Sequence, residues 1–249
     1  MKKFIYLAIF IFSAFSFTFA QKSKTTYLDK HFMPLSNKSK GEKQYLKSSF
    51  PVIEGRQTET VHDMNGTLIK SIIHEFDSKK NLTKTVSEEY DDQGRVFKIS
   101  TVEHKTKKEM IEYYHAGNLI GRFLCNENEV VFGLRIKDGE QLETSKNEFE
   151  PDFAVTKQQF REFLWSNLAY PDEARKKKIQ GTVTIALEVM PDGSVRTMEV
   201  INQEEVSQIL QEEAKRVISN FDKGFRPALD INGNPVRKWM YVPVRFSLG

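Results

Sequence analysis

The sequence has little of what disulfide-stabilised, nucleic-acid-binding or membrane-embedded proteins need. It contains one cysteine among 249 residues, so no disulfide can form within the chain. The 37 lysines and arginines nearly balance the 34 aspartates and glutamates, which gives no argument for a nucleic-acid partner. After residue 20 no apolar run is long enough to span a bilayer. We therefore expect a globular protein that folds around an apolar core without covalent cross-links.

Sequence motifs for catalysis and for metal or nucleotide binding are also missing. None of the 5 histidines forms a His-x-x-x-His or Glu-x-x-His pair on a predicted helix. No phosphate-binding loop, dinucleotide fingerprint or Gly-x-Ser-x-Gly motif occurs. Cys125 follows Phe123 and Leu124 in a predicted strand, where a buried thiol is the expected state. We therefore predict a protein that is not an enzyme, with no catalytic residue, metal site or cofactor.

Residues 1–20 have the pattern of an export signal. Lys2 and Lys3 precede the apolar run Phe4–Phe19, and Ala20 supplies a small residue at the cleavage position. The run is at the short limit for a membrane-spanning helix, so an uncleaved N-terminal anchor is the alternative. The polar residues 21–49 are predicted to form a flexible lead-in, with one early strand near Thr25–Leu28.

Residues 50–142 alternate short runs of β-favouring residues with turn signals. The turns are Asn65-Gly66, Asp92-Gln93-Gly94, Ala116-Gly117-Asn118 and Asp138-Gly139. This spacing predicts an all-β antiparallel meander domain. Tyr90–Val96 and Tyr114–Leu119 each place a tyrosine before a turn glycine and a hydrophobic residue after it, which resembles the repeats of YwqK-like, MORN-like and YD-type proteins. Residues 143–156 are polar, contain Pro151 and are predicted to be a linker.

From residue 157 onward the pattern predicts both helices and strands. Phe160, Phe163 and Leu164 recur at helical spacing, and Tyr170-Pro171 ends that helix. The further elements are a strand over Thr182–Val189, a strand over Val195–Ile201, an amphipathic helix over Glu204–Asn220 and a strand over Arg237–Leu248. Three antiparallel strands packed against helices predict a two-layer α+β domain over residues 157–249, in which the sheet has two edges.

Several short motifs in this domain occur in an order and spacing that resemble the C-terminal domain of the TonB family. They are Tyr170-Pro171-x-x-Ala174, Ile179-Gln180-Gly181-Thr182-Val183, Pro191-Asp192-Gly193-x-Val195, Glu213-Ala214-x-x-Val217, Phe225-x-Pro227-Ala228, Asn232-Gly233-x-Pro235-Val236 and Pro243-x-x-Phe246. The resemblance implies a periplasmic domain in the envelope of a Gram-negative cell.

In the TonB family this domain binds a short extended segment of outer-membrane TonB-dependent receptors, which adds as a strand beside the last strand of the domain. By resemblance, strand 238–248 is the candidate docking edge. The candidate partner-binding residues are Tyr170, Pro171, Trp239, Tyr241, Val242, Val244 and Arg245. Proline in place of Val244 is expected to abolish docking by removing a main-chain N–H.

Two departures from the family pattern separate this chain from an energy transducer. Residues 1–20 contain no histidine, and no long proline-rich spacer precedes the C-terminal domain, so coupling to an ExbB–ExbD motor is doubtful. The sequence predicts an exported, periplasmic TonB-like protein that binds receptors or other envelope proteins by strand addition, with a role in transmembrane transport. The alternatives are an inner-membrane location through an uncleaved anchor, an envelope scaffold that binds mainly through its meander, and a homodimer.

Overall fold

The computed structural model describes residues 23–36, 41–126, 129–137 and 139–248. The predicted export signal lies outside these residues. Within the described part of the chain, no helix combines the length and the apolar character needed to cross a membrane.

The first part of the chain forms one antiparallel sheet of 10 strands. The strands are β1 (Lys24–Leu28), β2 (Tyr45–Ser49), β3 (Arg56–Asp63), β4 (Leu68–Phe76), β5 (Leu82–Tyr90), β6 (Val96–Glu103), β7 (Lys108–His115), β8 (Asn118–Asn126), β9 (Glu129–Lys137) and β10 (Glu140–Thr144). Each strand pairs with its neighbours in the sequence, as in the predicted meander. The early strand predicted near Thr25–Leu28 is β1, and the segment predicted to be a flexible lead-in also supplies β2 to this sheet.

Aspartates at the ends of strands form the turns of the meander. Asp63 Oδ1 accepts hydrogen bonds from the backbone N–H groups of Asn65 and Thr67, at 2.9 and 2.8 Å. The same geometry recurs at Asp91. Gly66 adopts a φ of 89°, which residues with a side chain rarely reach. An aspartate three residues before the turn glycine therefore stabilises both of these tight turns.

Most of the meander is a single layer in which side chains on both faces are only half-buried. A buried cluster on this sheet comprises Tyr113, Phe123, Cys125 and Phe149. Phe149 follows the last strand and packs against the sheet beside Gly121, where an added Cβ would lie 2.6 Å from the Phe149 ring. Cys125 is buried as predicted, and burial raises the pKa of its thiol.

The C-terminal domain is an α+β sandwich, as predicted. Its elements are β11 (Asp152–Phe153), α1 (Lys157–Asn167), α2 (Asp172–Lys176), β12 (Gly181–Val189), β13 (Val195–Val200), α3 (Gln208–Ser219), β14 (Phe225–Arg226), β15 (Ala228–Leu229), β16 (Pro235–Val236) and β17 (Lys238–Phe246). The main sheet has the strand order β13–β12–β17. One face of it packs against α3 around Ile185, Leu187, Leu210, Val217 and Val244.

The segment predicted to be a linker is bound to both parts of the protein. β11 pairs with β14, and the Phe153 ring stacks on Phe160 of α1 at 3.8 Å between centroids. Thr156 caps α1, since its side chain accepts a hydrogen bond from the backbone N–H of Gln159. Residues 149–153 therefore contribute apolar side chains to both cores instead of forming a free connection.

Glu150 joins the meander to the edge strand of the C-terminal sheet. Its Oε1 accepts hydrogen bonds from Lys98 Nζ at 2.7 Å and from the Tyr113 hydroxyl at 2.8 Å. Its Oε2 lies 2.9 Å from Nζ of Lys238, the first residue of β17. A second contact is made by Arg135 of β9, which donates to the carbonyl of Asp230 at 3.2 Å. These contacts fix the position of β17 relative to the meander.

Candidate functional site

β17 is an edge strand over its whole length. It pairs with β12 on one side, from Lys238 opposite Val189 to Phe246 opposite Gly181. Among the described residues no strand pairs with its other side. An edge of this kind presents main-chain N–H and C=O groups that an extended segment can bind.

The backbone of β12 shows which residues of β17 face the open side. The Thr184 N–H donates to Asn202 Oδ1 at 2.9 Å, and the Thr184 carbonyl accepts from Ile201 N at 3.0 Å. Both groups of Thr184 therefore point away from β17, so Thr184 and Pro243 form a pair without hydrogen bonds between them. Along a strand, the backbone N–H and C=O groups of successive residues point alternately to one side and the other. The pairing of β12 with β17 has no bulge, so the backbone groups at positions 239, 241, 243 and 245 all point to the open side, as those of Pro243 do.

This geometry corrects the expectation for Val244. Its N–H points to β12, opposite Val183, and its side chain is fully buried. Proline at position 244 would therefore break the internal ladder of the sheet, and the expectation that it acts on docking is wrong. The native Pro243 already lacks an N–H at the open edge. The open edge consequently offers the N–H groups of Trp239, Tyr241 and Arg245.

A groove of about 580 Å³ runs beside the open edge. One wall is β17 from Trp239 to Pro243, and the other contains Phe160, Arg161 and Leu164 of α1. Glu129, at the start of β9, also lines it, so the meander supplies part of the wall. The groove thus combines unpaired backbone with apolar side chains, as strand addition requires.

The outer face of β17 is contacted by residues 29–36, which we call the N-terminal strap. The His31 ring meets the Trp239 ring edge-to-face at 4.6 Å between centroids. Its Nδ1 lies 3.3 Å from the Tyr241 hydroxyl, and its Nε2 lies 3.3 Å from Glu199 Oε2. Burial raises the pKa of Tyr241 to about 12, so its hydroxyl is protonated at neutral pH. The strap holds the side chains of Trp239 and Tyr241 and leaves their backbone groups at the open edge.

The other predicted contact residues lie in two different environments. The Tyr170 hydroxyl donates to the carbonyl of Ile179 at 2.6 Å, and the Tyr170 ring packs against Phe246. Pro171 is the N-terminal cap residue of α2. Tyr170 and Pro171 thus stand near the far end of β17, away from the groove beside Trp239–Pro243.

Val242, Val244 and Arg245 differ in which of their groups are accessible. The side chains of Val242 and Val244 belong to the core, and their backbone groups pair with β12. The Arg245 side chain is exposed. Of these three residues, only Arg245 offers both a side chain and an open-edge N–H.

Two residues that line the groove, Glu129 and Arg161, were missed from the sequence, and so was Trp165, which neighbours Arg161 on α1. Arg161 Nη1 lies 3.1 Å from Glu129 Oε1, which connects α1 to the meander. Trp165, one helical turn after Arg161, is 91% exposed. The helical spacing of Phe160 and Leu164 predicted the buried face of α1, but an exposed tryptophan on the same helix was a signal that could have been used.

The charges behind the groove are strongly coupled. Burial alone would raise the pKa of Glu150, but the ammonium groups of Lys98 and Lys238 hold it at about 2. Glu150 in turn raises the pKa of Lys98 against the opposing effect of burial. In the described part of the chain no cluster of three or more His, Cys, Asp or Glu residues could hold a metal ion. This electrostatic arrangement fixes β17 in place.

The C-terminal part of the chain matches a known protein family. Residues 166–248, about a third of the chain, match the family described as the Gram-negative bacterial TonB protein C-terminal domain. The match covers α2, the three-stranded sheet and α3, with the open edge of β17. No curated protein matches the chain. The C-terminal part of this protein is therefore a TonB C-terminal domain, as its motifs predicted, and a ten-stranded meander precedes it.

Proposed function

We propose that this protein binds an extended segment of outer-membrane TonB-dependent receptors, or of other envelope proteins, by strand addition to β17. The TonB C-terminal domain supports a role in envelope interactions and transport. The observation that carries the specific binding mode is the open edge, where three N–H groups point away from β12 and two of them, those of Trp239 and Tyr241, lie beside a groove. The family also supports a periplasmic location, reached through the export signal predicted at residues 1–20.

The test is a proline substitution at the centre of the open edge. Tyr241→Pro removes one N–H that faces the groove, and the native Pro243 shows that the next position of the same register accepts proline. We expect the full chain carrying this change to bind a synthetic receptor TonB-box peptide about tenfold more weakly by calorimetry. Tyr241→Ala is the matched control, because it also removes the ring that contacts His31 but keeps the N–H.

The two variants together distinguish strand addition to β17 from a scaffold function of the meander. Loss of binding in Tyr241→Pro with retention in Tyr241→Ala supports strand addition. Equal binding by both variants would instead favour the scaffold function, in which the meander is the binding surface. The exposed side chains of Val131 and Phe132 on β9 favour that second candidate.

The remaining parts of the proposal concern assembly and chemistry. We assign no catalytic step to the protein, in keeping with a family that acts by binding. The division at residues 143–156 remains a proposal, with the meander before this segment and the TonB-like domain after it. A homodimer, which would place two open edges together, is a further alternative for β17.

A further inference from the structure

The strongest feature that strand addition does not use is a pair of side chains on α1, one that lines the groove and one beside it on the helix surface. Arg161 and Trp165 are four residues apart and therefore lie side by side on the helix surface. Arg161 lines the groove together with Trp239–Pro243. Trp165 is 91% exposed, although tryptophan is usually mostly buried in a folded domain.

The Arg161 guanidinium makes only one contact with its partner in the meander, Glu129. A single nitrogen, Nη1, contacts Glu129 Oε1 at 3.1 Å, and the two side chains are 64% and 52% exposed. Arginine carries five N–H donors in a planar fork that suits bidentate binding of a carboxylate. No other acceptor for this guanidinium is found among the described residues. An exposed single contact of this kind stabilises little and exchanges readily.

We propose that Arg161 and Trp165 form a second recognition surface for the segment that docks on β17, and that this segment carries a carboxylate. In the unbound protein the Arg161 guanidinium forms an ion pair with Glu129 of the meander. When the segment docks, its carboxylate takes the place of Glu129 on the guanidinium, while an apolar side chain of the segment packs on the Trp165 ring. The meander thereby becomes part of the docking site and competes with the segment for Arg161.

The choice of occupant follows from the chemistry of the groove. The open edge of β17 accepts extended backbone, which excludes a helix as the bound element. The acidic groups on the same wall are already neutralised, Glu150 by Lys98 and Lys238, and Asp152 by Arg226 at 3.4 Å. Arg161, whose one contact is exposed, therefore offers a cation to a docked segment, and charge complementarity selects an acidic residue over a basic one.

The proposal rests on the proposed function, and the test separates the two. The probes are synthetic nonapeptides of alternating valine and threonine with blocked ends. One set has a single glutamate moved through the central positions, and a matched set has glutamine there. We expect the full chain to bind the best glutamate peptide about fivefold more tightly than its glutamine counterpart, with a preference that weakens as salt is added.

Substitutions of Arg161, Glu129 and Trp165 should change the affinity for these peptides in different directions. Arg161→Gln should remove the preference for glutamate and leave the glutamine peptide unaffected. Glu129→Gln should strengthen binding of the glutamate peptide about twofold to fivefold, because it removes the competitor and its charge repulsion. Trp165→Ala should weaken both peptides about tenfold. Glu173→Gln is the matched control, since it breaks an equally exposed ion pair with Lys177 on α2, away from the groove.

If Arg161→Gln and Glu129→Gln bind both peptides as the unchanged protein does, the pair is a contact between domains only and the proposal is overturned. Should Tyr241→Pro bind as well as Tyr241→Ala, strand addition itself fails, whatever the variants of Arg161, Glu129 and Trp165 do. A preference for glutamate that survives in Arg161→Gln would also overturn the proposal, because another cation would then be responsible.

Discussion

At the scale of single residues, the close approach of Phe149 to Gly121 holds the segment that follows β10 against the meander. The Phe149 ring packs on Tyr113 at 4.5 Å between centroids, in the space that a side chain at position 121 would fill. We expect Gly121→Ala to lower the free energy of unfolding by about 1–3 kcal/mol, through overpacking against the ring. Urea unfolding followed by tryptophan fluorescence measures this change.

A double-mutant cycle with Phe149→Ala tests that cause. In a protein without the ring, Gly121→Ala should cost less, because the tightest contact of the added methyl group is gone and its nearest remaining neighbours are the Phe123 ring at 3.2 Å and the Leu134 carbonyl oxygen at 3.5 Å. Equal costs of Gly121→Ala with and without the ring would contradict the account and would point to the backbone of β8 itself.

At the scale of elements, β17 has two faces and two edges with different roles. Val244→Pro removes an N–H that bonds to β12 at a fully buried position. We expect it to lower the free energy of unfolding by about 3 kcal/mol or more, whereas Tyr241→Pro should lower it much less. Urea unfolding curves of the two variants make the comparison. The reverse order of stability would show that the hydrogen-bonding directions along β17 are opposite to those derived from Thr184.

The sequence predicts these elements well where periodicity or turn chemistry determines them. Alternation over Thr182–Val189 and the Pro191-Asp192-Gly193 turn predicted the hairpin, and the open edge followed from the order of the elements. The direction of each N–H group could not be predicted, because it depends on the register between β12 and β17. The helix predicted from Glu204 begins at Gln208, since residues 203–205 form a turn and Ser207 is the N-terminal cap residue of α3.

At the scale of the whole molecule, Glu150 couples the stability of the two parts to pH. The pKa of Glu150 is about 2 in the folded protein, against an ordinary value of 4.5. A lowered pKa stabilises the fold above the unfolded value, and that stability is lost as pH falls towards the folded value. The stabilisation of roughly 3 kcal/mol should therefore disappear between about pH 5 and pH 2.

The comparison with Glu150→Gln isolates this effect. The variant should be less stable than the unchanged protein at pH 7, where it leaves Lys98 and Lys238 without their carboxylate, and the difference should shrink on acidification. Thermal unfolding at intervals from pH 7 to pH 2.5 measures both profiles. Parallel profiles over the whole range would contradict the assigned role of Glu150.

Contacts between distant parts of the chain were beyond sequence reasoning. Phe153 stands in a polar segment that reads as a linker, yet its ring packs in the C-terminal core. His31 carries no helical or strand periodicity that would place it against Trp239. Such contacts arise from tertiary packing of complete elements, which leaves no local pattern in the sequence.

The N-terminal strap has a consequence for the order in which the protein forms. The contact between His31 and Tyr241 spans 210 positions, whereas each pair of meander strands closes over a short hairpin. Local hairpins form early, and closing a long loop must wait until both of its ends exist. A chain that emerges from its N-terminus first therefore completes the meander while His31 has no partner. The strap closes over β17 only after the residues up to Tyr241 have emerged, so we expect this contact to form later than the hairpins of the meander.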